Sequence, residues 1–249
     1  MASSTFEAIV GFLVSDREGP EGLSAEDRLV ATIGCIAAVD ARSPRLRAVF
    51  ANACAAGAEP RKLESILLHA VAYLGVIRVQ SAFDCLIEVL AERGVDQDLS
   101  VGYEVEPDRH TRERAGVRLY DKVRHGRAGA SNERFAAISA EFYPRGMELS
   151  GLVLDNDLLS SREREIQTVS MLACLGSQPD QFRFHVDVAL GLGVGREEIG
   201  AILMLVQAYA GIPRTVAAAD LVLETLTSRE ESGSGGTAHV AESYVKPVS

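Results

Sequence analysis

The pattern of apolar and polar positions along the chain occurs twice. The segment from Leu23 to Leu90 aligns without a gap to the segment from Leu159 to Leu226, an offset of 136 residues. An ungapped internal repeat of this length indicates one fold unit used twice. Identical pairs include Ser24 and Ser160, Arg28 and Arg164, Gly57 and Gly193, Tyr73 and Tyr209, and Gly75 and Gly211.

Each copy of the repeat has apolar residues at helical spacing, interrupted by glycines, which predicts four helices. In the second copy Gly176, Gly193 and Gly211 separate the helices, and Pro213 suits a first helical turn. Strand-like alternation is almost absent, so we predict an all-α fold in which two tandem repeats form a pseudo-dimer. The helices predicted for the second copy are Ser160–Leu175, Pro179–Leu192, Arg196–Tyr209 and Pro213–Thr227.

The segments outside the repeats suggest the domain organisation. Residues 93–108 are polar with Gly and Pro and predict a linker, and further helices are predicted over Thr111–His125 and Asn132–Phe142. Tyr143–Asp157 is interpreted as a lead-in to the second repeat. The end of the chain is polar and rich in Gly and Ser, which is typical of disorder. The expected divisions are a first repeat at 1–95, linker helices with the second repeat at 96–228, and a disordered tail at 229–249.

Composition narrows the classes of partner. The chain has 249 residues, of which 47% are apolar, so it can bury a sizeable core. Its net charge of −10 argues against nucleic acid and anionic membranes as partners. Without a bilayer-spanning apolar run or a recognisable signal peptide, we expect a cytoplasmic protein. The four cysteines form no CxxC pair and are interpreted as small buried hydrophobic residues.

Two positions carry polar side chains in the second copy only. Leu29 of the first copy corresponds to Glu165, and Val49 corresponds to His185. Val49 continues an apolar series that includes Phe50, so His185 is expected to face inward, and Glu165 also leans toward the apolar side of its helix. Burying both groups is costly unless they are paired.

A His–Glu pair in an apolar pocket is a general acid/base arrangement. The carboxylate fixes the imidazole tautomer, and the other ring nitrogen moves the proton. The alternative is a satisfied polar pair that only ties two helices together. Since the first copy lacks both residues, the sequence predicts one site per chain.

Three stretches of the second copy form a combined motif: RERE at Arg162–Glu165, FRFHVDVALGLGVGREEI at Phe182–Ile199 and QAYAGIPRTVAAA at Gln207–Ala219. Together they resemble the carboxymuconolactone decarboxylase family, which also contains alkylhydroperoxidase D. The resemblance is strongest over Tyr143–Leu226 and weaker over Leu23–Leu90. It implies an all-helical fold, small-molecule chemistry without a metal or organic cofactor, and homo-oligomers with pockets between subunits.

The resemblance also assigns the site residues. Glu165 and His185 match the family's Glu and His. The family's peroxidase branch has a Cys-x-x-Cys just before the His, but here the corresponding region carries Gln178 and Gln181. Cys174 lies on another predicted helix. A thiol peroxidase needs a thiolate to attack the peroxide, so this activity is not expected here.

Other polar residues are candidates for substrate binding. Arg162, Arg183 and Arg214 could bind an anion, and Arg162 is the strongest because its counterpart is Glu26, whereas the other two recur as arginines and suit structural roles. His69, Gln207 and Tyr209 are further candidates. A partly buried helix histidine, a structural amide and a core phenol are the respective alternatives.

These features predict a cofactor-free lyase-type enzyme that acts through an enolate on a carbonyl-activated small molecule. Decarboxylation is what the family resemblance implies. Dehydration or cyclisation of a larger metabolite, as in secondary metabolism, uses the same base and oxyanion donor. The alternatives are a non-catalytic binding or assembly protein and, less favoured, a thiol-dependent peroxidase using Cys174 or Cys35.

Overall fold

The computed structural model describes residues 22–95, 108–124, 135–154 and 158–231, with positions 5, 8–10 and 13 near the N-terminus. Within these ranges the regular structure is helical and no residue lies in a strand, so the predicted all-α fold is confirmed. The helices are α1 (Ala25–Asp40), α2 (Pro44–Ala55), α3 (Pro60–Leu74), α4 (Val76–Glu92), α5 (Arg109–Arg124), α6 (Phe142–Leu154), α7 (Ser161–Leu175), α8 (Pro179–Gly191), α9 (Arg196–Ala210) and α10 (Ile212–Glu231).

The backbone follows the repeat seen in the sequence. Each of α1 to α4 has a counterpart among α7 to α10 whose ends lie at the same offset to within a few residues. The turns agree as well, since Gly57 and Gly193 have φ of 89° and 85°, and Gly75 and Gly211 have φ of 75° and 86°. These left-handed values favour glycine, which explains why both copies keep it. The pairing of the copies as a pseudo-dimer stays a prediction.

The helices between the repeats differ from the sequence prediction. The first, α5, lies close to the predicted Thr111–His125. The second was predicted over Asn132–Phe142. Of the described residues there, Phe135 and Ala136 are helical, and residues 137–141 lie in turns or have no regular structure. Helix α6 begins at Phe142 and runs through the segment interpreted as a lead-in. The apolar spacing explains this difference, because Tyr143, Met147 and Gly151 recur every four residues and are all buried.

Contacts along the chain separate two compact units, residues 1–49 with 161–249 and residues 50–160. In the first unit, α1 of the first copy packs closely on α7 of the second, and α8, α9 and α10 also contact α7. The boundaries predicted from the sequence mark the two similar segments, and they do not coincide with these two compact units. Most of the predicted linker (96–107) and most of the predicted tail (232–249) fall outside the described residues.

Helices α1 and α7 pack in parallel. Asp27 binds Arg162 near the start of both helices, and further along Gly34 lies against Gln167 and Met171. The contacts advance along both helices in the same chain direction, so equivalent turns of the two copies face each other. A Cβ atom at position 34 would lie 3.0 Å from Cγ of Gln167, so the missing side chain allows this close approach.

Helix α7 is enclosed along most of its length. Its buried residues include Gln167, Thr168 and Ser170 as well as apolar side chains. The Thr168 and Ser170 hydroxyls donate to the carbonyl oxygens of Arg164 and Ile166, at 2.8 and 2.7 Å. These bonds within the helix offset the cost of burying hydroxyls, and they allow α7 to carry polar residues into the core.

In the second unit, α5 and α6 cross at Gly116 and Gly151. A Cβ atom at either glycine would overlap a backbone carbonyl of the other helix. Beside this crossing the buried Glu148 accepts from Arg112, with the shorter of the two bonds at 2.5 Å, and lies near Arg109 and Arg145. The Arg112 hydrogen bond lowers the pKa of Glu148 below its ordinary value.

Within the part of the chain that the structure describes, no helix combines the length and apolar character needed to cross a bilayer.

Candidate active site

The candidate site lies in the core of the first unit, where α8 crosses α7. Helix α8 starts at Pro179, which lacks the amide hydrogen that a first-turn residue leaves unused. Phe182, Val186 and Ala189 bury one face of α8. His185 adjoins that face and is 8% exposed, while Glu165, in the first half of α7, is 6% exposed.

The two polar groups meet directly. Nδ1 of His185 lies 2.8 Å from Oε2 of Glu165. A carboxylate can only accept, so an ionised Glu165 takes the hydrogen that Nδ1 carries and fixes this tautomer. The ring of Phe184 stands edge-on to the imidazole at 5.1 Å between centroids. The predicted burial and contact of the pair are confirmed; a catalytic role for either residue stays a prediction.

The corresponding positions of the first copy are less enclosed. Leu29 and Val49 are both half-buried. The expectation that Val49 lies in the buried series was wrong, because Leu46, Phe50 and Ala53 form the buried ridge of α2 and Val49 lies at its edge. The polar pair therefore occupies a more buried environment than the apolar residues that it replaces.

Arg162, the strongest sequence candidate for anion binding, already contacts two carboxylates. Its guanidinium binds Oδ2 of Asp27 at 2.7 Å and also pairs with Glu198 at the start of α9. Burial lowers the pKa of Arg162, but the hydrogen bonds and charges of Asp27 and Glu198 outweigh it, so the net shift is upward. The arginine thus joins α1, α7 and α9 one turn before Glu165.

The other two arginines also have partners within the chain. Arg183 donates to Glu224 of α10, with Nε at 2.9 Å, and to Asp180 at 3.2 Å. Arg214 donates to the carbonyl oxygen of Leu175, the last residue of α7. These contacts tie helix ends together and suit the structural alternative, and substrate binding by either residue stays a prediction.

The remaining candidates are spread over both units. His69 is buried in α3 of the second unit, where its ring contacts Tyr73 edge-on at 5.3 Å between centroids. In the first unit, Gln207 is exposed on α9 and Tyr209 is half-buried. The proposed substrate contacts of these residues stay predictions.

Sequence reasoning missed two features of this region. One is the carboxylate pair around Arg162. These carboxylates are those of Asp27 and Glu198, and Glu198 also accepts from the amide of Gly195 at the start of α9. The other is that Cys35 and Cys174, 139 positions apart, contact each other. Neither contact has a local signal, because each joins helices that are distant in sequence.

The described part of the chain is thus all-α and holds a buried imidazole–carboxylate pair. Residues 140–224 match the sequence model of the carboxymuconolactone decarboxylase family. This match confirms the resemblance to the family for the segment that carries Glu165 and His185. A comparison with curated proteins gives no match to the chain.

Proposed function

We propose that the protein is a cofactor-independent lyase-type enzyme that acts through an enolate on a carbonyl-activated small molecule. The observation that supports this most is the 2.8 Å contact between His185 Nδ1 and Glu165 Oε2 inside the family segment. The other imidazole nitrogen, Nε2, is assigned the proton exchange with the substrate.

In a decarboxylation, the C–C bond to the leaving carboxylate breaks and its electron pair enters the neighbouring carbonyl system as an enolate. Protonated His185 then returns a proton to carbon through Nε2. Glu165 orients the ring and stabilises its imidazolium form. In dehydration or cyclisation, neutral His185 instead removes the proton next to the carbonyl. The same pair therefore supports all three reactions.

The enolate oxygen also needs a donor. Arg162, Arg183 and Arg214 each contact an acceptor from the chain. A substrate anion would therefore share or displace that acceptor. Arg162 remains the preferred candidate because it lies one turn before Glu165 on α7.

The proposed partner is a small molecule; a cytoplasmic location and a homo-oligomer remain predictions.

The first test measures turnover with substrates of defined chemistry. Carboxymuconolactone, a β-keto acid and a β-hydroxyacyl thioester would be incubated with the protein in D2O. Release of CO2 or water would be measured together with deuterium incorporation at carbon by NMR. His185→Ala should reduce turnover by roughly 10²–10⁴-fold, the usual contribution of a general acid or base.

Glu165→Gln is the companion variant, because it keeps the shape of the side chain and removes the charge. It should reduce turnover by at least about tenfold through loss of imidazolium stabilisation. Far-UV circular dichroism and Tm would show whether both variants keep their fold. A folded His185→Ala variant that turns over like wild type would overturn the proposal. Binding of these compounds without exchange into any product would favour a non-catalytic binding protein.

A further inference from the structure

Cys35 and Cys174 come from different copies of the repeat and meet in the core. Cys35 lies on α1 with no exposed surface, and Cys174 lies on α7 with 3% exposed. The Cys174 side chain lies close enough to Cys35 to raise the pKa of its thiol, while nearby Ser170 lowers it. Neither cysteine takes part in the proposed acid/base chemistry.

The parallel packing of α1 and α7 explains this contact independently. Asp27 faces Arg162 near the start of the helices, and Gly34 faces Gln167 and Met171 two turns further along. Position 35 therefore falls at the level of residues 170–174. Because Gly34 has no side chain, the helices can approach closely at this level, as a bond between the two sulfurs requires.

Comparison of the two copies shows that the fold unit does not require a cysteine at either position. The counterpart of Cys35 is Met171, and the counterpart of Cys174 is Ala38. The corresponding pair of positions, 38 and 171, therefore carries a methyl group and a thioether. The two thiols occur once, just as the His–Glu pair occurs once.

We propose that Cys35 and Cys174 are a modification site at which a peroxide forms a disulfide between the two repeats. The Cys174 thiolate, on the slightly exposed side, attacks a peroxide oxygen and displaces hydroxide to give a sulfenic acid. The Cys35 thiolate attacks that sulfur, the S–O bond breaks, and the departing hydroxide becomes water. With hydrogen peroxide, two thiols and one peroxide give one disulfide and two waters.

This reaction differs from peroxidase catalysis in being stoichiometric and slow. The hydrogen bond to Cys174 and burial raise the pKa of the Cys35 thiol well above its ordinary value. Little Cys35 thiolate is therefore present at neutral pH. A disulfide here would close a loop of roughly 139 residues and restrict the unfolded chain. It would also fix α7, the helix that carries Glu165, against α1.

The experiment uses the full chain with Cys54→Ser and Cys85→Ser, which keeps only the two core cysteines out of four. The reduced protein would be treated with hydrogen peroxide, denatured, alkylated and digested without reductant. We expect a cross-linked peptide pair containing Cys35 and Cys174. We also expect a Tm increase on the order of 5–10 °C that dithiothreitol reverses.

Cys174→Ser in the same background is the matched control, because it leaves one buried thiol and should give neither result. Full alkylation of both cysteines after prolonged peroxide treatment would overturn the proposal. Oxidation of Cys174 to sulfinic acid without a cross-link would also overturn it, as would disulfides formed only between chains. The variants retain Glu165 and His185, so the result is independent of the proposed enzymatic activity.

Discussion

At the scale of single residues, the feature that most needs explaining is a carboxylate and an imidazole in a helical core. Each would be strongly destabilising alone, and together they offset much of that cost through one short hydrogen bond. The first copy supplies an internal comparison, since Leu29 and Val49 occupy the same two positions without polar groups. The fold unit therefore does not require the pair.

This comparison gives a double-mutant cycle built from the chain's own residues. Glu165→Leu and His185→Val should each destabilise the protein by about 1–3 kcal/mol, because each leaves the other polar group buried without its partner. The double variant should lose less than the sum, with a coupling of about 1–3 kcal/mol. Urea unfolding gives the free energy of unfolding of the wild type, the two single variants and the double variant. Additive losses would contradict a direct energetic link between the two side chains.

At the scale of elements, α5 and α6 can cross closely because each helix has a glycine at the crossing point. Gly116 and Gly151 bring α5 and α6 so close that a methyl group would overlap backbone atoms of the partner helix. Glycine lowers helix propensity, so its presence inside two helices is explained by the crossing rather than by local preference. The buried Glu148 and its arginines lie beside this crossing and add charged contacts between the same helices.

Gly116→Ala should therefore destabilise the protein by about 3 kcal/mol, because backbone must shift to make room for the methyl group. Gly146→Ala is the matched control. It lies in α6 with nothing within 4 Å of the new methyl group, so it should stabilise the helix by about 0.5–1 kcal/mol. Thermal melting measures both variants. Equal effects at the two positions would contradict the close crossing.

At the scale of the whole molecule, the start of the first copy and the second copy of the repeat belong to one compact unit. The first helix of the first copy packs in parallel against the first helix of the second copy. Arg162 binds Asp27 across this contact, and Cys35 meets Cys174 further along it. The copy that carries the candidate site thus depends on a helix supplied from more than 100 residues earlier.

The role of Arg162 can be tested against Arg183. Arg162→Met should destabilise the protein by about 1–3 kcal/mol, because it leaves the mostly buried Asp27 and Glu198 without their cation. Arg183→Met should cost about 0–1 kcal/mol, because the side chains of its partners Asp180 and Glu224 are 74% and 57% exposed. Urea unfolding gives the loss in free energy of unfolding for both variants. A raised KM for Arg162→Met with unchanged stability would instead favour the anion-binding role.

Much of this architecture could be predicted from the chain alone. Helical spacing and repeated glycines located the helices of the second copy to within a few residues, because these signals are local. The comparison between copies also identified Glu165 and His185, since a polar residue at an apolar position is visible without coordinates. Helix α6 was not predicted, because its residues were interpreted as a lead-in to the second repeat although Tyr143, Met147 and Gly151 follow helical spacing.

What the sequence by itself determined was the all-α class, the doubled unit and the identity of the candidate pair. Only the tertiary structure decided that Arg162 meets two carboxylates, that Cys35 contacts Cys174, and that α1 packs against the second copy. These contacts depend on how distant helices cross, and a crossing is set by the packing of whole faces rather than by local periodicity.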